Sequence, residues 1–256
     1  MENSSGIIQT LTALILFGGL TAALEAGFRS GQRVRRQHAE PADQLATVQA
    51  AILGLLALLL GFSFALAAGR FSARNQLILD EANAIGTAWL RCDLLSTNDR
   101  REVRDLLRHY AAERVVLYDA KDDATQKTAI VESEALQARI WKVVADAAKI
   151  KLDLANVLLP PFNELIDLHG SRVAAAHRHM PGMLVLLLLV CSVVAVGAVG
   201  YGFGVAGKRN VILTSALAFL IATVLWAIID FDHPRRGLIR ADQQPMLDLQ
   251  KSLKPN

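Results

Sequence analysis

Four stretches of this 256-residue sequence contain no Asp, Glu, Lys, Arg or His: Ile7 to Leu24, Leu45 to Ala68, Met183 to Ala206 and Val211 to Ile229. Roughly 20 apolar residues cross a hydrocarbon core as a helix, so each stretch is long enough to span a membrane. Four such runs exclude a set of buried helices in a water-soluble protein. The absence of charge inside them counts against a proton-coupled transporter, which needs ionisable groups within the membrane. Cysteine is scarce: Cys92 lies in a polar stretch and Cys191 in an apolar run. That excludes a disulfide framework and a cysteine-based metal site. Met1 to Gly6 holds Glu2 and no Lys or Arg. A secretory signal needs a basic start, so the first run is expected to remain as a membrane helix.

Other signatures are also missing. No alternating strand pattern, internal repeat or low-complexity tract is present. There is no nucleophile elbow, phosphate-cradling glycine loop or zincin helix. Gly200, Gly202 and Gly204 lie at the end of an apolar span and not after a strand, so they are no dinucleotide fingerprint. The chain is therefore read as no enzyme, with no cofactor and no metal site. What is present is apolar: 53% of residues are hydrophobic, and mean hydropathy is +0.33. A net charge of +3 suits basic flanks beside a bilayer and does not argue for nucleic acid.

The expected fold is all-α and polytopic, with four transmembrane helices in two pairs around a soluble helical domain. The boundaries are 1–69 for the first pair with its short basic loop, 70–182 for the soluble domain, 183–230 for the second pair and 231–256 for a polar tail. Arg70 to Leu95 lacks Pro and can continue the second span as helix. Ser96 to Asp99 is a cluster of cap formers, and Asp99 with Glu102 has capping-box spacing. Val103, Leu106, Leu107, Tyr110, Leu117 and Tyr118 then form one apolar helical stripe. Lys121 to Asp123 is a polar break, and helix is expected to resume near Glu132. Pro160 and Pro161 should end or kink it.

Candidate site residues fall in three groups. Around the second span, Gly61, Ala65 and Gly69 recur at helical spacing, either as a helix-packing face or by chance in an Ala/Gly-rich segment. Gly18, Ala22 and Ala26 repeat the spacing, as do Gly200 and Gly204. Phe62 and Phe64 stand in an otherwise aliphatic run and suit a hydrophobic constriction or lipid contact. Arg70 and Arg74 follow one turn apart, as pore-mouth cations or as snorkelling anchors. The second group comprises Glu81, Asn83 and Thr87, polar surface candidates among small residues where another helix could approach. The third is the tail after the fourth span, where Asp230, Asp232, Arg235 and Arg236 could meet an ion or a headgroup, or pair with one another. His169, His177 and His179 precede the third span and read as solvated interfacial residues rather than metal ligands.

The segment Leu60 to Gln76 (LGFSFALAAGRFSARNQ), Glu81 to Ala88 (EANAIGTA) and the tail from Pro234 through Leu249 resemble a bacterial membrane family carrying a bestrophin-like domain of unknown function. The resemblance covers nearly the whole chain. A looser similarity, through the paired spans and the Arg70–Phe71 exit, reaches the bestrophins, pentameric anion channels whose second span lines the pore. It implies that Phe62 and Phe64 belong to a hydrophobic neck. It supplies no calcium clasp, because no matching acidic run exists. It also implies a cytoplasmic middle domain. The basic first loop (Arg29, Arg33, Arg35, Arg36) argues the reverse by the positive-inside rule.

The functional expectation is a homo-oligomeric, anion-selective channel in a bacterial inner membrane, with the lipid bilayer, further copies of the chain and chloride or other small anions as partners. The rival is a non-conducting sensor or scaffold whose helical domain binds a partner.

Overall fold

The computed structural model describes residues 2–36, 42–120, 122–150, 152–232 and 239–253. Among them every regular element is a helix. In chain order these are α1 (Glu2–Arg35), α2 (Ala42–Arg91), a 3₁₀ turn (Cys92–Leu94), α3 (Thr97–Asp119), α4 (Asp123–Ile150), α5 (Leu152–His177), α6 (Gly182–Ala206), α7 (Val211–Asp232) and α8 (Gln244–Ser252). Four helical segments are long and apolar enough to cross a membrane, and they carry the four uncharged runs. The protein is a polytopic all-α membrane protein.

The chain divides into two compact units. One comprises Met1–Phe71 and His179–Arg240; the other comprises Ser72–Arg178 and Ala241–Asn256. The division falls inside α2.

In the first unit, α1 packs chiefly along α6, and also against α7. Sequence neighbours are thus not the tightest spatial partners. Glycine explains the α1–α6 seam. A Cβ at Gly27 would strike the carbonyl oxygen of Gly197, and one at Gly31 that of Tyr201. Seen from α6, Cβ atoms at Gly200 and Gly204 would strike the carbonyls of Leu24 and Phe28. Small residues permit this approach, which replaces lipid contact by backbone packing. Leu20, Leu56, Leu60, Leu188, Val196, Ala218 and Leu225 fill the space between these helices. Gln49 Nε2 on α2 donates to the Ala198 carbonyl at 2.5 Å. Glu25 accepts from Arg29 at 2.8 Å and from Arg209 at 2.7 Å, so part of the basic charge of both short loops is matched locally.

In the second unit, α3 packs on α4 and α8, and α4 on α5. The core includes Ile85, Ala88, Leu107, Tyr110, Ile140, Val144, Phe162, Leu165 and Met246. The helix starts differ from expectation by a few residues. Ser96, not Asp99, caps α3: its hydroxyl accepts from the Asp99 N–H at 3.3 Å and donates to the Asp99 carboxylate at 2.7 Å. Asp122 caps α4 by accepting from the Thr125 N–H at 2.8 Å, so helix resumes at Asp123 and not near Glu132. Pro160 and Pro161 lie inside α5 rather than ending it. The apolar face formed by Leu158, Pro161, Phe162 and Leu165 is buried, and that burial offsets the lost backbone hydrogen bonds.

Candidate functional site

The outward face of α2 in the first unit carries the expected pore residues. Leu55, Leu58, Phe62 and Leu66 are large, apolar and exposed, Phe62 at 63%. Gly61 and Gly69 have nothing within 4 Å of a notional Cβ, and Ala65 is exposed. The α2 small-residue face is therefore open within one chain, while Gly200 and Gly204 serve the α1–α6 seam. Phe64 differs from Phe62. Its ring meets Phe231 edge-on at 5.6 Å, and Phe71 lies 5.3 Å from the same ring.

Asp230 and Asp232, expected as surface groups, are buried at the end of α7. Each replaces water by backbone donors. Asp232 accepts from the Met180 N–H at 2.8 and 3.0 Å, and Asp230 accepts from the Ile239 N–H at 2.9 Å. Arg70 Nη1 lies 3.9 Å from Asp232, and His179 Nδ1 lies 3.5 Å from it. Arg70 is partly exposed, as a cation at a membrane boundary can be. Arg235 and Arg236 lie outside the described residues. A cleft of about 410 Å³ opens beside His179, Val185, Leu186, Ile228 and Asp232.

Arg74, expected as a pore-mouth cation or a snorkelling anchor, belongs to the second unit. It is buried, and its guanidinium donates to the Arg178 carbonyl at 2.7 Å and the Ala175 carbonyl at 3.2 Å. Those are carbonyls of the last turn of α5 and just beyond it, where a helix leaves acceptors unpaired.

The second unit also holds a buried ionic cluster. Glu81, expected on the surface, is 0% exposed. Asn83 and Thr87, expected beside it, are exposed and do not join the cluster. The carboxylate of Glu81 accepts from the Tyr110 hydroxyl at 2.5 Å, from Arg114 Nε at 2.9 and 3.2 Å to its two oxygens, and from Arg172. Gln137 Nε2 donates to the Tyr110 oxygen at 3.2 Å, and His169 Nδ1 lies 3.4 Å from it. His169 is thus buried in the helical core, away from the solvated position expected of it, while His179 belongs to the other unit.

All of these groups lie outside the four uncharged runs. Burial opposes ionisation of Glu81, but the Arg172 and Arg114 charges and the Tyr110 hydrogen bond outweigh it and hold the carboxyl below its usual pKa. Burial, reinforced by the Glu81 charge, pushes the Tyr110 phenol well above 10. Burial, with the Arg114 charge, pushes His169 down to about 4. The cluster at neutral pH is a carboxylate, two guanidiniums, a neutral phenol and a neutral imidazole. Nothing in it is a nucleophile beside a base. Among the described residues no three His, Cys, Asp or Glu converge on a metal position.

Residues 17–246 match the family described as the Bestrophin-like domain. The chain belongs to the bestrophin-like family. Among curated proteins no match was found. Solved structures agree on the fold. A point variant of a bacterial bestrophin homologue from Klebsiella pneumoniae is similar at 12% identity and a TM-score of 0.69, with 94% of this chain and 95% of that one covered. A second variant of such a homologue from that organism gives 14% identity, a TM-score of 0.66 and coverage of 98% and 95%. A variant described only as a membrane protein gives 15%, 0.66 and coverage of 96% and 95%. At such identities the likeness speaks for the fold alone.

The Glu81 cluster was missed by sequence reasoning, although signals existed. Arg114 stands one turn after Tyr110 and one turn before Leu117, a charge on the otherwise apolar stripe of α3. Glu81 sits among Ala82, Ala84, Ile85 and Ala88, all of them buried.

Proposed function

We propose that the chain is the subunit of a homo-oligomeric anion channel in a bacterial inner membrane, with α2 lining the conduction path. The observation that carries this reading is the unpartnered face of α2. Leu55, Leu58, Phe62 and Leu66 point away from the rest of the protomer, beside a furrow at Gly61, Ala65 and Gly69. In lipid, small residues gain little unless another helix fills the furrow. Membership of the bestrophin-like family supports the same reading. Phe62 is the better candidate for a hydrophobic constriction, because Phe64 is engaged by Phe231. Arg70 is the cation to attract anions at the mouth, because Arg74 serves helix carbonyls. Residues 70–182 form the soluble helical domain and wall a vestibule.

The test is flux from purified protein in liposomes, with chloride and potassium gradients and empty liposomes as control. Chloride flux that exceeds potassium flux, and that changes in Phe62→Ala, supports the channel. Correctly inserted oligomers that pass neither ion refute it and leave a sensor or scaffold.

A further inference from the structure

We infer that a small monovalent anion of the halide class binds inside the helical domain, against Arg114 in the Glu81 cluster. The argument begins with charge. Arg114 is 1% exposed, the Arg172 side chain 11% and Glu81 0%. Two guanidiniums share one carboxylate, so the buried cluster carries one surplus positive charge. An uncompensated buried charge is strongly unfavourable, whereas a paired one is tolerated.

Hydrogen bonds locate the deficit. The Glu81 carboxylate already accepts from Tyr110, Arg114 and Arg172. Arg114 Nη1 is buried and finds no acceptor among the described residues. His169 Nε2 is buried and likewise without a hydrogen bond. The carboxylate at 3.9 Å from it, on Glu134, is mostly exposed. The tautomer follows from the network. Tyr110 gives its proton to Glu81, so its oxygen receives from Gln137 and from His169 Nδ1–H. His169 Nε2 is then an unprotonated acceptor and cannot neutralise Arg114. A water could bond Nη1 but would leave the charge. A single monovalent anion supplies both the counter-charge and the acceptor that Arg114 Nη1 lacks, whereas His169 Nε2 needs a donor and is not a ligand of it; a fully buried position suits an anion with a weak hydration shell. The inference does not depend on conduction, since it concerns the core of the second unit.

The experiment uses the full chain purified in detergent, first in halide-free gluconate buffer at constant ionic strength. Bromide is then added, and crystals are measured at the bromine absorption edge. An anomalous peak in contact with Arg114 Nη1 is expected. In solution, bromide should raise the midpoint of thermal unfolding to a plateau. Arg172→Gln removes the surplus charge while retaining the Glu81–Arg114 pair, so that variant should fold without halide and lose the bromide shift. An ordered water at Arg114 with no bromide, or an unchanged bromide shift in Arg172→Gln, overturns the inference. Should a variant fail to fold, the anomalous map on the unmodified protein still decides.

Discussion

Glu81→Gln isolates the charge at the centre of the second unit. Gln has nearly the same volume, so the packing of Ile85 and Ala88, one and two turns further along α2, is undisturbed and only electrostatics changes. The carboxylate accepts from three side chains, two of them guanidiniums with little or no solvent. Its neutralisation adds one uncompensated positive charge to the buried cluster. It also turns a charge-assisted bond from Tyr110 into an ordinary one. Breaking a buried ion pair from one side costs about 3–5 kcal/mol. For a chain of this size each kcal/mol moves the thermal midpoint by roughly 2–4 °C, so a fall of about 10 °C is expected. The assay is circular dichroism melting in detergent at neutral pH, with membrane insertion verified first. Tyr110→Phe provides the scale. It deletes the bond to the charged acceptor, together with the acceptor that Gln137 and His169 use, and should cost at least about 1.5–3 kcal/mol. The double variant should be less destabilised than the sum, because both changes act on one network. A Glu81→Gln midpoint within about 2 °C of the parent would refute the reasoning, since such a shift corresponds to about 1 kcal/mol or less.

The His169 pKa is lowered from 6.5 to about 4 in the folded chain. Between those values the unfolded chain binds the extra proton, so stability should fall with falling pH by up to about 3 kcal/mol; melting curves of His169→Gln should lose that slope, and an unchanged slope rejects the assignment. Gly204→Ala should separate α1 from α6 and destabilise by at least about 1–3 kcal/mol, whereas Gly61→Ala should leave the melting of the dissociated protomer unchanged. Equal effects at the two glycines, measured by melting, contradict the packing described. In liposome flux, Arg70→Glu should lower the chloride-to-potassium ratio severalfold, and a ratio equal to the parent's removes Arg70 from the conduction path.

Legibility followed the length scale of each signal. The spans were readable because absence of charge over some 20 residues is local and has one physical cause. The continuation of α2 to Arg91 was readable from the lack of Pro. The capping of α3 was misplaced by one turn, since Ser96, Asn98 and Asp99 all suit a cap and only geometry selects Ser96. The prolines of α5 end no helix: their local penalty is fixed, while the compensating burial of Leu158, Phe162 and Leu165 depends on packing against other helices, α4 among them. Glu81 lies 29 residues from Tyr110 and 91 from Arg172. No spacing rule reaches that far, and a carboxylate directly after Asp80 on a helix reads as surface until its partners are placed.

The glycines carry the clearest division of labour in the membrane unit. Gly27, Gly31, Gly200 and Gly204 have no room for a side chain, and their spacing joins α1 to α6. Gly54, Gly61 and Gly69 of α2 have open space. Both sets show the same small-residue periodicity, so periodicity alone cannot tell a filled seam from an empty one. Exposure separates them. Hydrocarbon around a lone helix solvates Leu and Gly alike, and a furrow beside exposed Phe62 and Leu58 confers nothing there. A second copy of the helix would turn that furrow into van der Waals contact on one flank of α2. The aromatic and aliphatic side chains beside it would then be left to face the axis of the assembly. A hydrophobic constriction requires that geometry, and it needs no charged residue within the span.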